Sequence, residues 1–360
     1  MASRLLVTGG AGFIGANFVH FWLKNHPHDR LLVLDALTYA GNRLNLRDAV
    51  LDERLHFVHG DICDQELVTG LLEDENIDTI VHFAAESHVD RSIDGPDAFV
   101  RTNIVGTHVL LKAAKSAWLG KKQKKPGVRF HHVSTDEVYG SLGPLDPRFT
   151  EQTPYDPSSP YSASKASADH LVRAYHRTFG LPVTITNCSN NYGPYQFPEK
   201  LIPVIILNAL AGRPIPVYGD GRNVRDWLYV TDHCRAIEAV IAQGKPGETY
   251  NIGGNCERTN IEIVHAICRL LDGKRPGTAH RPHAALIQFV KDRPGHDRRY
   301  AIDTSRVTRE LDWRPLEDIE SGLEKTIDWY LAHLDWCETV AGGNSAATRR
   351  GLGISGTAEI

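Results

Sequence analysis

Thr135, Asp136 and Glu137 put a hydroxyl and two adjacent carboxyl groups directly after an apolar run at residues 128–133. If that run is a parallel strand, the triplet leaves its carboxyl end, where open α/β sheets build their ligand crevices. Two neighbouring carboxyl groups there can divide acid and base work between them. A second set, Tyr161-Ser162-Ala163-Ser164-Lys165, spaces a phenol and an ammonium for one face of a helix. An ammonium beside a phenol favours the phenolate and lowers a pKa that is about 10 when unperturbed, and a nicotinamide cation would add to the effect. A shift of roughly three units, about 4 kcal/mol, would make Tyr161 a base near neutral pH. Alone, an Asp-Glu pair is more often a solvated turn, and Tyr-x-x-x-Lys recurs by chance; both gain weight from what precedes them.

Residues 4–7 read as a short buried strand running into Thr8-Gly9-Gly10-Ala11-Gly12-Phe13-Ile14-Gly15 and then an apolar helix through Phe18, Val19 and Trp22. Strand, glycine turn and helix together form a dinucleotide cradle: Gly9, Gly12 and Gly15 permit the tight turn and close approach, and the helix start, with Phe13 and Ile14, offers N–H donors. A second strand at 31–34 ends in Asp35, followed by Leu37 and Thr38. A carboxylate at that point holds ribose hydroxyls and repels a 2′-phosphate, which favours NAD over NADP. A strand at 55–58 leads to Asp61 and Ile62, placed for an adenine edge, and one at 77–83 leads to Ala84, Ala85, Ser87 and His88 at the crevice. A long helix is expected over 97–118, and with the Tyr161 helix it suits a subunit interface. His131 and His132 alternate across their strand, which makes them poor joint metal ligands; no metal site is expected.

A sixth strand at 183–186 leads to Asn190 and Asn191, and beyond it Pro and Gly break up the pattern. The expected fold class is α/β: a Rossmann-type doubly wound parallel sheet with a smaller interleaved C-terminal substrate domain. The first domain spans 1–187 with returning segments at about 223–253, where 226–230 and 249–252 rejoin the first sheet; the second comprises 188–222 and 254–335. Residues 341–360, rich in Gly, Ala, Ser and Thr, read as a disordered tail.

At 360 residues the chain has room for one large α/β unit and a companion. A net charge of -4 gives no electrostatic footprint for nucleic acid. The Lys121-Lys122-Gln123-Lys124-Lys125 run reads as a solvated loop. Six cysteines without paired spacing exclude a disulfide framework or zinc site and fit a reduced compartment. No apolar run approaches spanning length, so a cytoplasmic protein is expected, with no membrane partner.

Taken together, the motifs over roughly residues 4–330 resemble the extended branch of the short-chain dehydrogenase/reductase family. Thr135-Asp136-Glu137-Val138-Tyr139-Gly140, Ala84-Ala85-Glu86-Ser87-His88-Val89-Asp90-Arg91-Ser92, Asn190-Asn191-Tyr192-Gly193-Pro194 and Asp292-Arg293-Pro294-Gly295-His296-Asp297-Arg298-Arg299-Tyr300 are similar to the dTDP-glucose 4,6-dehydratases within it. The resemblance implies NAD as cofactor, dTDP-glucose as the nucleotide-sugar substrate and a homodimer. It implies that Tyr161 takes the O4 proton, Thr135 bonds O4, Lys165 supports the phenolate and nicotinamide ribose, Glu137 removes the C5 proton and a protonated Asp136 serves the C6 hydroxyl. It places Thr102 and Asn191 with the cofactor residues. Ser87, His88, Asn190, Lys200, Leu201, Arg225, Asn260, Arg293 and His296 fall around the substrate, with Pro216 and Tyr218 beside the thymine. Arg225 and Arg293 independently offer the forked donors a diphosphate calls for. Other readings are a UDP- or CDP-glucose dehydratase, a nucleotide-sugar 4-epimerase, or a non-catalytic NAD-binding regulator; retention of the Tyr-Lys pair speaks against the last.

Overall fold

Short apolar strands alternating with helices give parallel β-α units, because the crossover helices bury both faces of the sheet they connect. The computed structural model describes residues 2–120, 125–277, 279–292 and 297–342. Six strands come first: β1 (Arg4–Thr8), β2 (Arg30–Asp35), β3 (Leu55–His59), β4 (Thr79–His82), β5 (Arg129–Thr135) and β6 (Val183–Cys188). They are followed by β7 (Asn190–Tyr192), β8 (Ile215–Tyr218), β9 (Val224–Tyr229), β10 (Thr249–Ile252), β11 (Glu257–Thr259) and β12 (Ile287–Val290). The main sheet runs β10-β6-β5-β4-β1-β2-β3, parallel throughout. Strand order reverses between β1 and β4, so their carboxyl ends open the crevice of a doubly wound sheet.

Period-two alternation puts Leu6, Ile80, Phe130 and Ile185 on one face against Leu110, Trp118 and Val172. Leu5, Val7, Val33 and Val81 fill the other against Phe18, Val19 and Ile237. Continuous apolar strands are thus consumed on both sides. A second core gathers Ile202, Ile205, Ile215, Val217, Trp227, Ile263, Ile267, Leu323 and Tyr330 around two small sheets, β11-β9-β7 and β12-β8.

Residues 249–252 rejoin the main sheet as expected, but 226–230 do not. β10 takes the open edge of β6, with Thr249 opposite Ile185, so β9 pairs instead with β7 and β11. Only the following helix, Val230–Gln243, returns to the first core, through Cys234 and Ile237. The helix expected over 97–118 forms with an interruption: Val100–Gly106 is π-helical between α-helical Asp97–Phe99 and Thr107–Trp118. Such bulges often mark functional positions. Lys125 is tethered rather than solvated, donating from Nζ to Asn76 O (2.8 Å) and Ile77 O (2.9 Å). The rest of the lysine-rich run, Arg293, His296 and residues 343–360 of the expected tail lie outside the described residues.

Candidate active site

β1 delivers Gly9 into the turn at φ +70, where an added Cβ would stand 2.6 Å from Ala84 N. At Gly15 a Cβ would stand 2.2 Å from Gly9 O, so only glycine lets the helix pack on its turn. The helix Phe13–Asn25 begins at Gly12 without a side-chain cap, leaving its first N–H groups for an anion. Gly9, Gly12, Phe13, Ile14 and Gly15 line a cavity of about 350 Å³ that also takes in Asp35, Thr38, Asp61, Ile62, Ala84, Ala85, Ser87, Thr102 and Asn191. Asp35 is aimed by two backbone donors, Ala11 N–H to Oδ2 (2.9 Å) and Leu37 N–H to Oδ1 (2.8 Å). Leu37 itself is not on the wall; of the expected cofactor residues it acts through this bond. A bare glycine cradle, uncapped amides and a carboxylate at the end of β2 fit a dinucleotide with an unphosphorylated ribose.

The same cavity is lined by Thr135, Asp136, Glu137, Tyr161 and Lys165, so the structure brings both chemical sets to one place. Thr135 ends β5 in extended conformation and its Oγ1 accepts the Glu137 N–H (3.3 Å), which starts a 3₁₀ turn at Asp136. Asp136 is 2% exposed. Its Oδ1 takes only a long bond from Thr135 Oγ1 (3.4 Å), and Oδ2 is buried with no partner among the described residues. Burial, then the charges of Glu137 and Asp226, raise its pKa well above the ordinary carboxyl value, which favours the protonated form.

Ser159 caps the helix Pro160–Phe179 in a reciprocal box with Ser162, and Pro160 occupies its first turn. That fixes Tyr161 and Lys165 on the face turned to β5. The chain by itself does not depress the Tyr161 phenol. Burial, with Glu137 next, raises its pKa well above the ordinary value against a lowering bond from Thr135. Lys165 Nζ points onto Val133 O at 2.8 Å.

The expected substrate residues divide. Ser87, Asn190 and Lys200 join Thr135 on the cavity wall; Leu201, Pro216, Tyr218, Arg225 and Asn260 do not line it. They occupy the adjoining lobe: Pro216 and Tyr218 sit on β8 opposite Gln288 and Val290 of β12, and Asn260 opens the Asn260–Lys274 helix. Arg225, 6% exposed, donates to Val224 O and Asp297 O and covers the Tyr300 ring at 4.4 Å. His88 Nε2 lies 3.6 Å from Glu199 Oε1.

Three features escaped the sequence reading. Asn103, inside the π-helical segment, clamps the Ala84–Ser87 loop: Oδ1 accepts Glu86 N–H (2.8 Å), and Nδ2 donates to Glu86 O (3.0 Å) and Ser164 Oγ (2.8 Å). Arg91 stacks on Tyr39 at 3.8 Å and donates to Glu199 Oε2 at 3.3 Å, linking two residues of the cavity wall. Asp169 lies wholly buried one turn beyond Lys165; its spacing of eight from Tyr161 was a readable signal.

A doubly wound parallel sheet whose switch point holds a glycine cradle, a Tyr-Lys pair and a carboxyl pair defines a dinucleotide-dependent short-chain dehydrogenase/reductase scaffold. The chain belongs to the GDP-mannose 4,6 dehydratase family, whose profile matches residues 6–326. It is 57% identical over 350 residues to the dTDP-glucose 4,6-dehydratase of Xanthomonas campestris pv. campestris, covering 97% of this chain and 99% of that protein. With the Salmonella typhimurium dTDP-glucose 4,6-dehydratase it shares 56% over 351 residues, 94% of this chain and 96% of the other. The crystal structure of the dTDP-glucose 4,6-dehydratase of Streptomyces venezuelae, which has NAD bound, superposes with a TM-score of 0.84 at 49% identity, covering 94% and 99% of the two chains. Among the described residues no helix is long and apolar enough to cross a membrane, and no cluster of metal-ligating side chains occurs.

Proposed function

We infer that the chain is an NAD-dependent hydro-lyase that converts dTDP-glucose to dTDP-4-keto-6-deoxyglucose and water, a step towards deoxysugars such as rhamnose. The C5 proton of a hexose is barely acidic until C4 is a ketone, so oxidation has to precede elimination. NAD, when bound, supplies a hydride acceptor for C4 and the donor for C6. Tyr161 removes the O4 proton while Thr135 bonds O4; the Lys165 charge, and the positive nicotinamide that bound NAD would bring to the same cavity, oppose the burial that raises the Tyr161 phenol. Glu137 takes the C5 proton, Asp136 gives its proton to the departing C6 hydroxyl, which leaves as water, and a proton returns to C5 from Glu137 as C6 is reduced. The observation that carries this reading is the buried Asp136 beside Glu137 on the wall that also holds Tyr161 and the glycine cradle, where burial favours its protonated form. The raised Asp136 carboxyl suits the acid role of an elimination and leaves the base role to Glu137.

The residues in the adjoining lobe, Leu201, Pro216, Tyr218, Arg225 and Asn260, hold the nucleotide, with Arg225 serving the diphosphate. The chain works in the cytoplasm as a homodimer: its six cysteines are free thiols, and Val100, Val105 and Phe179 on the two long helices are 50%, 47% and 41% exposed. Mass spectrometry after incubation with dTDP-, UDP- and CDP-glucose tests the assignment. Loss of one water from dTDP-glucose is the expected result; an isobaric product would mean an epimerase and overturn it.

A further inference from the structure

Tyr161, Lys165 and Asp169 stand at intervals of four along one helix and form a single line on its β5-facing side. Lys165 and Asp169 are 5% and 0% exposed. An ammonium taken out of water loses several kcal/mol unless a negative charge and well-placed acceptors compensate. Val133 O is the acceptor. The negative charge lies one turn further on. Asp169 Oδ2 accepts from Ser134 Oγ (3.0 Å) and Tyr155 Oη (2.8 Å), and Oδ1 is 3.1 Å from His132 Nε2.

We propose that Asp169 is a positioning residue that keeps Lys165 an ammonium and holds the Tyr161-Lys165 line against β5. The groups around the pair leave this part to Asp169. From β5, the His132 imidazole is pushed down to about 4 by burial and is neutral at working pH. From β4, His82 is also lowered by burial. From β6, burial pushes the Cys188 thiol up to about 12. Tyr139 and Tyr155, from the segment before the helix, are raised by burial and stay phenols. Arg173, on the same helix, is the remaining cation, and it is bound to Tyr155 Oη (2.6 Å) and Thr249 Oγ1 (3.2 Å). Burial opposes ionisation of Asp169, but His132, Lys165 and Arg173 bring it net below the usual carboxylate value. Asp169 is not itself on the cavity wall, although its Oδ2 is bonded by the wall residue Ser134; its charge acts through Lys165.

The inference rests on the dehydratase reading only in taking Lys165 as part of the chemistry. The test is the pH profile of kcat/KM with dTDP-glucose for Asp169→Asn, Ser134→Ala and Tyr155→Phe. Removing the anion makes the ammonium easier to deprotonate, so in Asp169→Asn the alkaline limb moves down by about one unit or more. Activity then falls about tenfold at the old alkaline edge and changes little on the acid side. Ser134→Ala and Tyr155→Phe remove a hydrogen bond but no charge and leave the limb where it was. If Asp169→Asn does not fold, Asp169→Ser removes the same charge with less volume and carries the comparison. A folded Asp169 variant with an unmoved limb, or an equal displacement in Ser134→Ala, overturns the proposal. Loss of water by the wild type reports on the dehydratase reading, and displacement of the limb on Asp169, so the two fail separately.

Discussion

Replacing Asp136 by Asn keeps the side chain's shape and removes its proton. The wild-type carboxyl is 2% exposed, with Oδ2 unpartnered among the described residues, so an amide enters without displacing a structural bond. A positioned general acid contributes about 10²- to 10⁴-fold, or about 3–5 kcal/mol of barrier, and that is the loss expected in dehydrated product. Glu137 is untouched, so proton abstraction at C5 continues. In D₂O, recovered nucleotide sugar therefore gains deuterium at C5 while little product forms. Stability moves the opposite way. Burial and neighbouring carboxylates raise the Asp136 pKa on folding. The folded chain then binds a proton that the unfolded chain loses above about pH 4, and stability falls as pH rises beyond that point. Asn carries no charge in either state. The variant should thus melt above wild type at about pH 7, with the gap closing towards about pH 4. Wild-type product formation by Asp136→Asn, or a melting difference that grows on acidification, would refute this reasoning.

Gly15→Ala forces a methyl to within 2.2 Å of Gly9 O; displacement of the turn should cost about 1–3 kcal/mol of stability and most of the bound NAD, read by calorimetry and by the nucleotide released on denaturation. Arg91→Ala breaks the link from Arg91 to the cavity-lining Tyr39 and Glu199 and should speed NAD loss during gel filtration and lower the melting temperature, since it removes a cation from a Glu199 side chain that is 6% exposed; unchanged retention would show that the link holds nothing in. His132 is lowered on folding to about 4, burial being the main cause, so unfolding takes up a proton and stability declines as pH falls from about 6.5 through about 4. His132→Gln should flatten that decline in a thermal scan, and an equally steep decline would assign it to other groups.

Much of this site could be read from residue order. Gly9 to Gly15, Asp35, Thr135 to Glu137 and the Tyr161-Lys165 spacing all sit at strand ends or on one helix, where local pattern decides position. What escaped depends on contacts between distant segments. β9 has the apolar content of a main-sheet strand, but whether β9 or β10 reaches β6 is settled by three-dimensional competition for one edge. Asn103 was invisible because the π-helical segment redirects it towards Glu86 and Ser164. Spacing reveals the lysine near Tyr161 but not the burial and the Glu137 charge that raise its phenol in the chain by itself. Leu201, Pro216, Tyr218, Arg225 and Asn260 rested on resemblance, and their separation from the cavity wall is a property of the second core's packing.

On the proposed mechanism one cofactor, held throughout, moves a hydride within a single sugar while Asp136 and Glu137 expel water. Turnover of dTDP-glucose carrying deuterium at C4 tests it most directly. The expected product is a 4-keto-6-deoxy sugar with the label at C6 of the same molecule; label lost to the medium, or spread to an unlabelled sugar in the same mixture, rules the mechanism out.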